Sequence, residues 1–104
     1  MKTFKDKNNN LWELSITVQA IKRVKELTEI DLIAGASEKE ENNIFIKLSN
    51  DAISLCNVVY SICKPQADEK NITDDQFGEL MTGDAIADAT QAFIEELIDF
   101  FPSA

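Results

Sequence analysis

The chain has 104 residues, of which 44% are hydrophobic and 28% are charged, and its formal net charge is −9. This length fits a single domain over residues 1–104, and the apolar share is typical of a globular chain rather than a disordered one. The acidic balance argues against direct binding to nucleic acid or to anionic lipid surfaces, because like charges repel.

The sequence also argues against a membrane protein or an exported one. No stretch offers the roughly 20 consecutive apolar residues that a membrane-spanning helix needs. The basic residues near the N-terminus are not followed by an apolar stretch, so no signal peptide is predicted. These features predict a cytoplasmic protein.

A β-hairpin is predicted over residues 3–17. Residues 6–10 (DKNNN) are rich in Asn and Asp, which tolerate a left-handed backbone and bond their own main chain, so they predict the turn. Trp12, Leu14 and Ile16 then alternate with polar residues, as in a strand with one buried face. A lone hairpin is marginally stable, so it is expected to pack on a helix or on another chain.

The first helix is predicted over about residues 18–34. Thr17 is a suitable N-cap, apolar residues follow at spacings of three, and Gly35 is a reasonable stop. Three basic residues lie on the wetter side of this helix, where they could form a basic patch or an ordinary solvated surface: Lys22, Arg23 and Lys25.

The middle of the chain begins with an ambiguous region. Residues 36–43 are the most polar stretch and predict an exposed loop. Residues 44–48 are short and mostly apolar, so they predict either a short strand or one helical turn.

A central helix is predicted over residues 50–63. Ser49 or Asn50 would cap it, and Pro65 would end it, because the residue before a proline is pushed away from the helical region. Its apolar residues fall on two sides, which is typical of a helix at the centre of a core. One side carries Ile53, Cys56, Tyr60 and Cys63, and the other carries Ala52, Leu55, Val59 and Ile62.

Cys56 and Cys63 are the only cysteines. Seven residues apart on a helix, they would lie about 10 Å apart along its axis, which is too far for a disulfide. They are therefore interpreted as buried thiols in a reducing compartment. The alternative, a metal or redox pair, lacks a third ligand because the chain has no histidine and no other cysteine.

A short helix is predicted over residues 74–82. Thr73 and Gln76 have the spacing of a capping box, in which a hydroxyl caps the helix and a side chain three residues later reaches back. Gly83 is expected to close this helix.

The last helix is predicted over about residues 85–101, with Asp84 as its N-cap and Pro102 as its stop. Four of its carboxylates lie on one narrow arc of the helix: Asp84, Asp88, Glu95 and Asp99. This arc is interpreted either as a solvated face or as a docking surface for a basic partner. The opposite arc is broad and apolar, which is typical of a core helix or of a helix that binds another protein. The residues predicted to form a protein interface are Phe93, Ile94, Leu97, Ile98 and Phe101.

No catalytic, cofactor-binding or metal-ligating residue is predicted. The chain lacks histidine, the commonest general base, and has no phosphate-binding loop or nucleophile elbow. The carboxylates of Asp74, Asp75, Asp84 and Asp88 could suit a hard cation, but they lack the alternating spacing of an EF-hand loop, and positions at helix starts explain them. The sequence thus predicts an α+β, mainly helical protein, a hairpin packed on about four helices, without enzymatic activity.

Taken in order, several blocks resemble a family of short proteins encoded by phages and prophages, similar to the tail assembly chaperones of long-tailed phages. The resemblance covers nearly the whole chain except residues 36–43, and the blocks that carry it follow the opening hairpin and contain no catalytic or ligand motif. They are 18–24 (VQAIKRV), 58–67 (VVYSICKPQA), 72–78 (ITDDQFG), 83–86 (GDAI) and 95–102 (EELIDFFP).

The resemblance implies a function that composition alone does not. Tail assembly chaperones bind the long helical tape-measure protein before tail-tube subunits polymerise around it, keep it soluble and are absent from the finished particle. It implies the host cytoplasm as location, the tape-measure protein as partner and self-association, with no nucleic acid, membrane or small-molecule substrate. Two alternatives stay open: a structural tail or neck component retained in the virion, and a small acidic regulatory protein.

Overall fold

The computed structural model describes residues 2–37 and 43–101. These residues form a two-stranded antiparallel hairpin followed by six helices, which confirms the predicted α+β, mainly helical class. The elements are β1 (Lys2–Lys5), β2 (Leu11–Leu14), α1 (Val18–Thr28), α2 (Leu32–Ser37), α3 (Ile44–Ser49), α4 (Ala52–Glu69), α5 (Asp74–Leu80) and α6 (Asp84–Phe100).

The hairpin turn is organised by one buried carboxylate. Asp6 accepts hydrogen bonds from the backbone N–H groups of Asn8 and Asn10, at 2.8 and 3.0 Å, and from the indole N–H of Trp12 at 2.9 Å. Asn9 adopts the left-handed conformation expected of this turn, with φ of 65°. Burial acts to raise the pKa of Asp6, but these hydrogen bonds outweigh it, so the pKa lies below its ordinary value.

The hairpin packs its apolar face on the helices, as predicted. Phe4 lies opposite Trp12 in the strand register, and both side chains are buried. The Trp12 ring meets the edge of Phe77 from α5 at a centroid distance of 5.0 Å. Because β1 packs on α6 and β2 packs on α4, the hairpin is a part of the core and not an appendage.

The first predicted helix, residues 18–34, is wrong in extent, because the structure divides it into α1 and α2. Thr17 caps α1 as predicted. Glu29 ends α1 in the left-handed conformation, with φ of 65°. Asp31 then accepts bonds from the N–H groups of Ile33 and Ala34, both at 3.0 Å, and so caps α2.

Gly35 lies inside α2 and does not act as the helix stop that was predicted. A Cβ at this position would lie 2.8 Å from the Cβ of Ile44 in α3. The glycine therefore permits a close approach between α2 and α3. Sequence periodicity carries no signal for such a contact, because the contact joins two separate elements.

Residues 44–48, for which the sequence predicted either a short strand or a helical turn, are helical and belong to α3. Ile44 and Leu48 are buried along one side of α3, which resolves the choice between strand and helix. Of the exposed loop predicted over residues 36–43, Ala36 and Ser37 belong to α2 instead, and residues 38–42 lie outside the described part of the chain.

The predicted end of the central helix at Pro65 is also wrong, since α4 continues through it to Glu69. A proline inside a helix leaves the carbonyl four residues earlier, here Ser61, without its N–H donor. Arg23 of α1 donates to that carbonyl at 3.3 Å and to the carbonyl of Ile62 at 3.1 Å. The guanidinium thus replaces the missing donor and allows the helix to continue.

The second half of α4 is also bonded to the hairpin. The Gln66 amide accepts from the backbone N–H of Glu13 at 2.7 Å and donates to the Glu13 carbonyl at 2.6 Å. These two bonds imitate a neighbouring strand and satisfy one edge position of β2. Asp51, and not Ser49 or Asn50, caps the start of α4.

The helix boundaries near the C-terminus differ from the prediction at two places. The helix predicted over residues 74–82 ends at Leu80 with Met81 as its C-cap, so Gly83 does not close it. Thr73 and Gln76 form the predicted capping box at the start of α5, with bonds of 3.2 and 2.9 Å. Gly83, with φ of 57°, is the N-cap residue of α6, whereas Asp84 is the first helical residue and makes no side-chain cap. Among the described residues, no helix is both long and apolar enough to cross a membrane.

Candidate protein-binding groove

The two halves of α4 have different surroundings. In the second half, Ser61, Ile62, Cys63 and Ala67 are buried. In the first half, Ile53 is 77% exposed, the largest value among the exposed large apolar side chains of the described residues. The prediction of a helix central to the core therefore holds for only part of its length.

Ile53 lies at the edge of a groove between α4, α5 and the start of α6, which we call the α4 groove. It has a volume of about 640 Å³. The residues that line it are Ala52, Ile53, Cys56 and Asn57 of α4, Asp74, Asp75 and Gly78 of α5, Met81, Thr82 and Gly83 of the connection, and Ile86 of α6.

The lining of the α4 groove is mainly apolar, and the groove is open above Gly78. Met81 is buried, Cys56 and Ile86 are half-buried, and the side chain of Ile53 beside them is exposed. No atom beyond the immediate chain neighbours and the helix's own backbone lies within 4 Å of the position that a Cβ on Gly78 would take. The groove can therefore accept apolar side chains from outside without a rearrangement at that point.

Two carboxylates supply the charge of the groove. Asp74 and Asp75 are exposed, and no Lys or Arg is among the lining residues. Thr73 already caps α5, so neither aspartate is needed for that purpose. Burial raises the pKa of the Cys56 thiol, and the negative charge of Asp74 raises it further, so the field of Asp74 reaches the apolar lining.

A second cleft, of about 370 Å³, adjoins the α4 groove, and both are lined by Asn57 and Asp74. It extends the depression toward half-buried Tyr60 and exposed Leu27. A larger cleft, of about 800 Å³, lies where α2, α3 and the start of α4 meet.

The five residues predicted as an interface do not share one surface. Phe93 and Leu97 are 1% and 0% exposed and pack in the core, so in this conformation neither offers surface to a partner. Ile94 and Phe101 are half-buried, and Ile98 is 57% exposed. Whether the exposed part of this set binds a partner stays a prediction.

The charged side chains singled out in the sequence have separate neighbours. Arg23 is engaged with α4, and Lys25 lies 3.7 Å from Asp31, so the three basic residues of α1 do not act as one free patch. On α6, Glu95 pairs with Lys2 at 3.4 Å, and its bond from Gln91 and this pairing lower its pKa.

The cysteines are free thiols. Cys63 is buried, as predicted, whereas Cys56 is half-buried in the α4 groove. Burial raises the pKa of Cys63 to about 12, despite the opposing charges of Arg23 and Lys70. A thiol in such surroundings stays protonated at neutral pH and is a poor nucleophile.

Metal ligation has no visible basis in the part of the chain that the structure describes. Within residues 2–37 and 43–101, no group of three or more Cys, Asp or Glu side chains converges in a way that could hold a metal ion. The arrangement that these residues do offer is a groove with a mainly apolar lining and a carboxylate edge.

Comparison of the chain with family models, with curated proteins and with solved structures found no match. The α4 groove was missed in the sequence reasoning, although one signal was present. Ile53 lies in the first turn of α4, on the side that also carries Cys56, away from Leu55 and Val59. An apolar side chain at the end of a two-sided helix is a candidate for exposure, because the core seldom surrounds a helix terminus.

Proposed function

We propose that this chain is a non-enzymatic protein-binding domain that holds an apolar helical segment of another protein in the α4 groove. The specific role that we propose is that of a phage tail assembly chaperone, with the tape-measure protein as its partner. The observation that carries the proposal is the exposed Ile53 at the edge of an open groove lined by Cys56, Met81 and Ile86.

An amphipathic helix is a suitable occupant for such a groove. A helix presents apolar side chains at i, i+3, i+4 and i+7, and it satisfies its own backbone hydrogen bonds before it docks. A groove that is apolar between flanking helices can therefore bind it without supplying backbone partners. The net charge of −9 helps to keep the complex dispersed while apolar segments are handled.

The resemblance to the chaperone family supports the same proposal from another direction. Two of the blocks that carry it, residues 72–78 and 83–86, supply five of the eleven residues that line the groove, including Asp75, Gly78 and Ile86. The proposal places the chain in the cytoplasm of a host cell, where a tape-measure protein is made. It expects no nucleic acid, lipid surface or small-molecule substrate as a partner.

Capture during tail assembly tests this proposal. A tagged chain is expressed while the phage or prophage is produced, its bound proteins are identified, and finished particles are analysed in parallel. The expected result is capture of the tape-measure protein, with the chain absent from particles. Stoichiometric presence in particles would instead identify a structural tail component.

Two matched variants locate the binding surface. Ile53→Asp places a carboxylate in the first turn of α4, where the helix dipole favours it, so folding is retained while the groove becomes polar. Ile98→Asp makes the same change on α6, twelve residues and about 18 Å along the axis from Ile86 of the groove. Loss of capture with Ile53→Asp alone supports the α4 groove, whereas loss with Ile98→Asp alone supports the C-terminal surface predicted from sequence.

A further inference from the structure

The negative charge at the edge of the α4 groove bears on the charge of the helix that binds there. This inference rests on the proposed function. Asp74 and Asp75 are consecutive, exposed and on the α5 side of the groove. In the described part of the chain, neither makes a hydrogen bond or an ion pair with another side chain. A partner that docks here therefore meets two uncompensated carboxylates next to an apolar lining.

We propose that the α4 groove selects an amphipathic helix whose apolar stripe is flanked by Lys or Arg on the side that faces Asp74 and Asp75. An acidic flank would lie against these carboxylates and weaken binding, since like charges at an interface are unfavourable. A basic flank complements them and fixes the direction and rotation of the helix in the groove.

The alternative role of the two aspartates is stabilisation of α5 through its dipole. If the aspartates only stabilise α5, binding should not depend on the charge of the partner. The effect of the partner's charge on affinity therefore distinguishes that role from partner selection. The capping box of Thr73 and Gln76 already supplies a side-chain acceptor for the backbone N–H groups of both residues at the start of α5. Because α5 has only seven residues, the contribution of each aspartate to its stability through the helix dipole is small.

The test uses three synthetic helical peptides of 18 residues that differ only at the flanks of one leucine stripe. The flanking positions carry Lys in the first peptide, Gln in the second and Glu in the third. A fluorescent label on each peptide reports binding to the full chain by anisotropy. The expected order of affinity is Lys, then Gln, then Glu, and the differences should shrink at 0.5 M salt because the charges are exposed and screened.

The variant Asp74→Asn/Asp75→Asn tests the origin of that order. It should weaken binding of the Lys peptide by roughly three- to tenfold at low salt, as expected for two exposed charge pairs, and leave the Gln peptide unchanged. The matched control, Glu13→Gln/Asp99→Asn, removes two exposed carboxylates that do not line the groove. It should leave the affinity of all three peptides within twofold.

The outcomes separate this inference from the proposed function. Equal affinity for the Lys and Gln peptides, both abolished by Ile53→Asp, would overturn the basic-flank inference and leave the helix-binding groove standing. An equal loss of affinity in the control variant would overturn it too, since general charge would then explain the effect. If Ile53→Asp changes neither peptide binding nor capture of the tape-measure protein, the proposed function itself fails.

Discussion

The two halves of α4 show how one helix can serve both the core and the surface. The second half is held from two sides: Arg23 donates to its carbonyls, and Gln66 pairs with the backbone of Glu13 in β2. The first half is held by its Asp51 cap and by a few buried side chains such as Leu55, while Ile53 points outward.

The difference between the halves follows their partners and not their hydropathy. Both halves contain isoleucine and cysteine, and the second half is the more polar of the two, since it contains Lys64, Asp68 and Glu69. Strand β2 is bonded to the second half through Gln66, whereas the start of the first half lines the groove beside α5. Binding should therefore depend on the start of the helix, and stability on the buried residues further along it.

The largest contrast is expected from one substitution made at two positions of this helix. Ile62→Ala should lower the free energy of unfolding by about 2–5 kcal/mol, because Ile62 is 5% exposed and its loss leaves a cavity. Ile53→Ala should change it by less than about 0.5 kcal/mol, since its side chain is mostly in solvent. Urea unfolding of both variants measures the contrast, and equal costs would contradict the division of α4 into two halves.

A smaller effect, with a characteristic pH dependence, is expected in the hairpin that covers the second half. Asp6→Asn should destabilise the protein at pH 7 by about 1–3 kcal/mol, because an amide cannot accept from every N–H group that the carboxylate accepts. The folded pKa of Asp6 is lowered, so its contribution is present above the unfolded pKa and is lost as pH falls through the folded pKa.

Unfolding measured between pH 7 and pH 3 checks this prediction. The gap in stability between the natural chain and Asp6→Asn should be constant near neutral pH and should narrow in acid. A gap that stays unchanged down to pH 3 would show that the charge of Asp6 does not stabilise the turn.

The smallest of these effects is expected at the contact that lets α4 pass through Pro65. Arg23→Ala should cost about 1–2 kcal/mol, since two charge-assisted bonds are lost but water can reach the half-buried site. In a Pro65→Ala background, a backbone N–H is restored opposite the Ser61 carbonyl. The same arginine substitution should therefore cost less there, which a double-mutant cycle measures. Equal costs in both backgrounds would separate Arg23 from the proline.

Much of the fold was accessible from local sequence signals. The Asn-rich turn, the alternation of Trp12 and Leu14, and the Thr73–Gln76 capping box each depend on neighbours within a few residues, and the structure confirms all three. The helix breaks were less accessible. Pro65 was predicted to end the central helix because of its effect on the neighbouring backbone. In the structure, Arg23, which lies 42 positions earlier in sequence, donates to the carbonyl that the proline leaves without a donor.

The candidate site was the least accessible feature. The interface predicted on α6 treated its apolar arc as one surface, whereas packing against β1 and α4 buries Phe93 and Leu97 and leaves Ile98 exposed. The α4 groove is formed where three successive helices meet. No periodicity within one helix could reveal it, because its shape depends on how α4, α5 and α6 are placed.

The sequence by itself determined the class of the fold, the hairpin turn and most of the helical segments, because turn residues, caps and apolar periodicity act over a few neighbouring residues. Only the tertiary structure decided that α4 passes through Pro65, that Gly35 serves a helix contact and that Ile53 borders a groove. Each of these depends on groups that the chain brings together from far apart. The energy of such contacts belongs to the packed arrangement and not to any one segment.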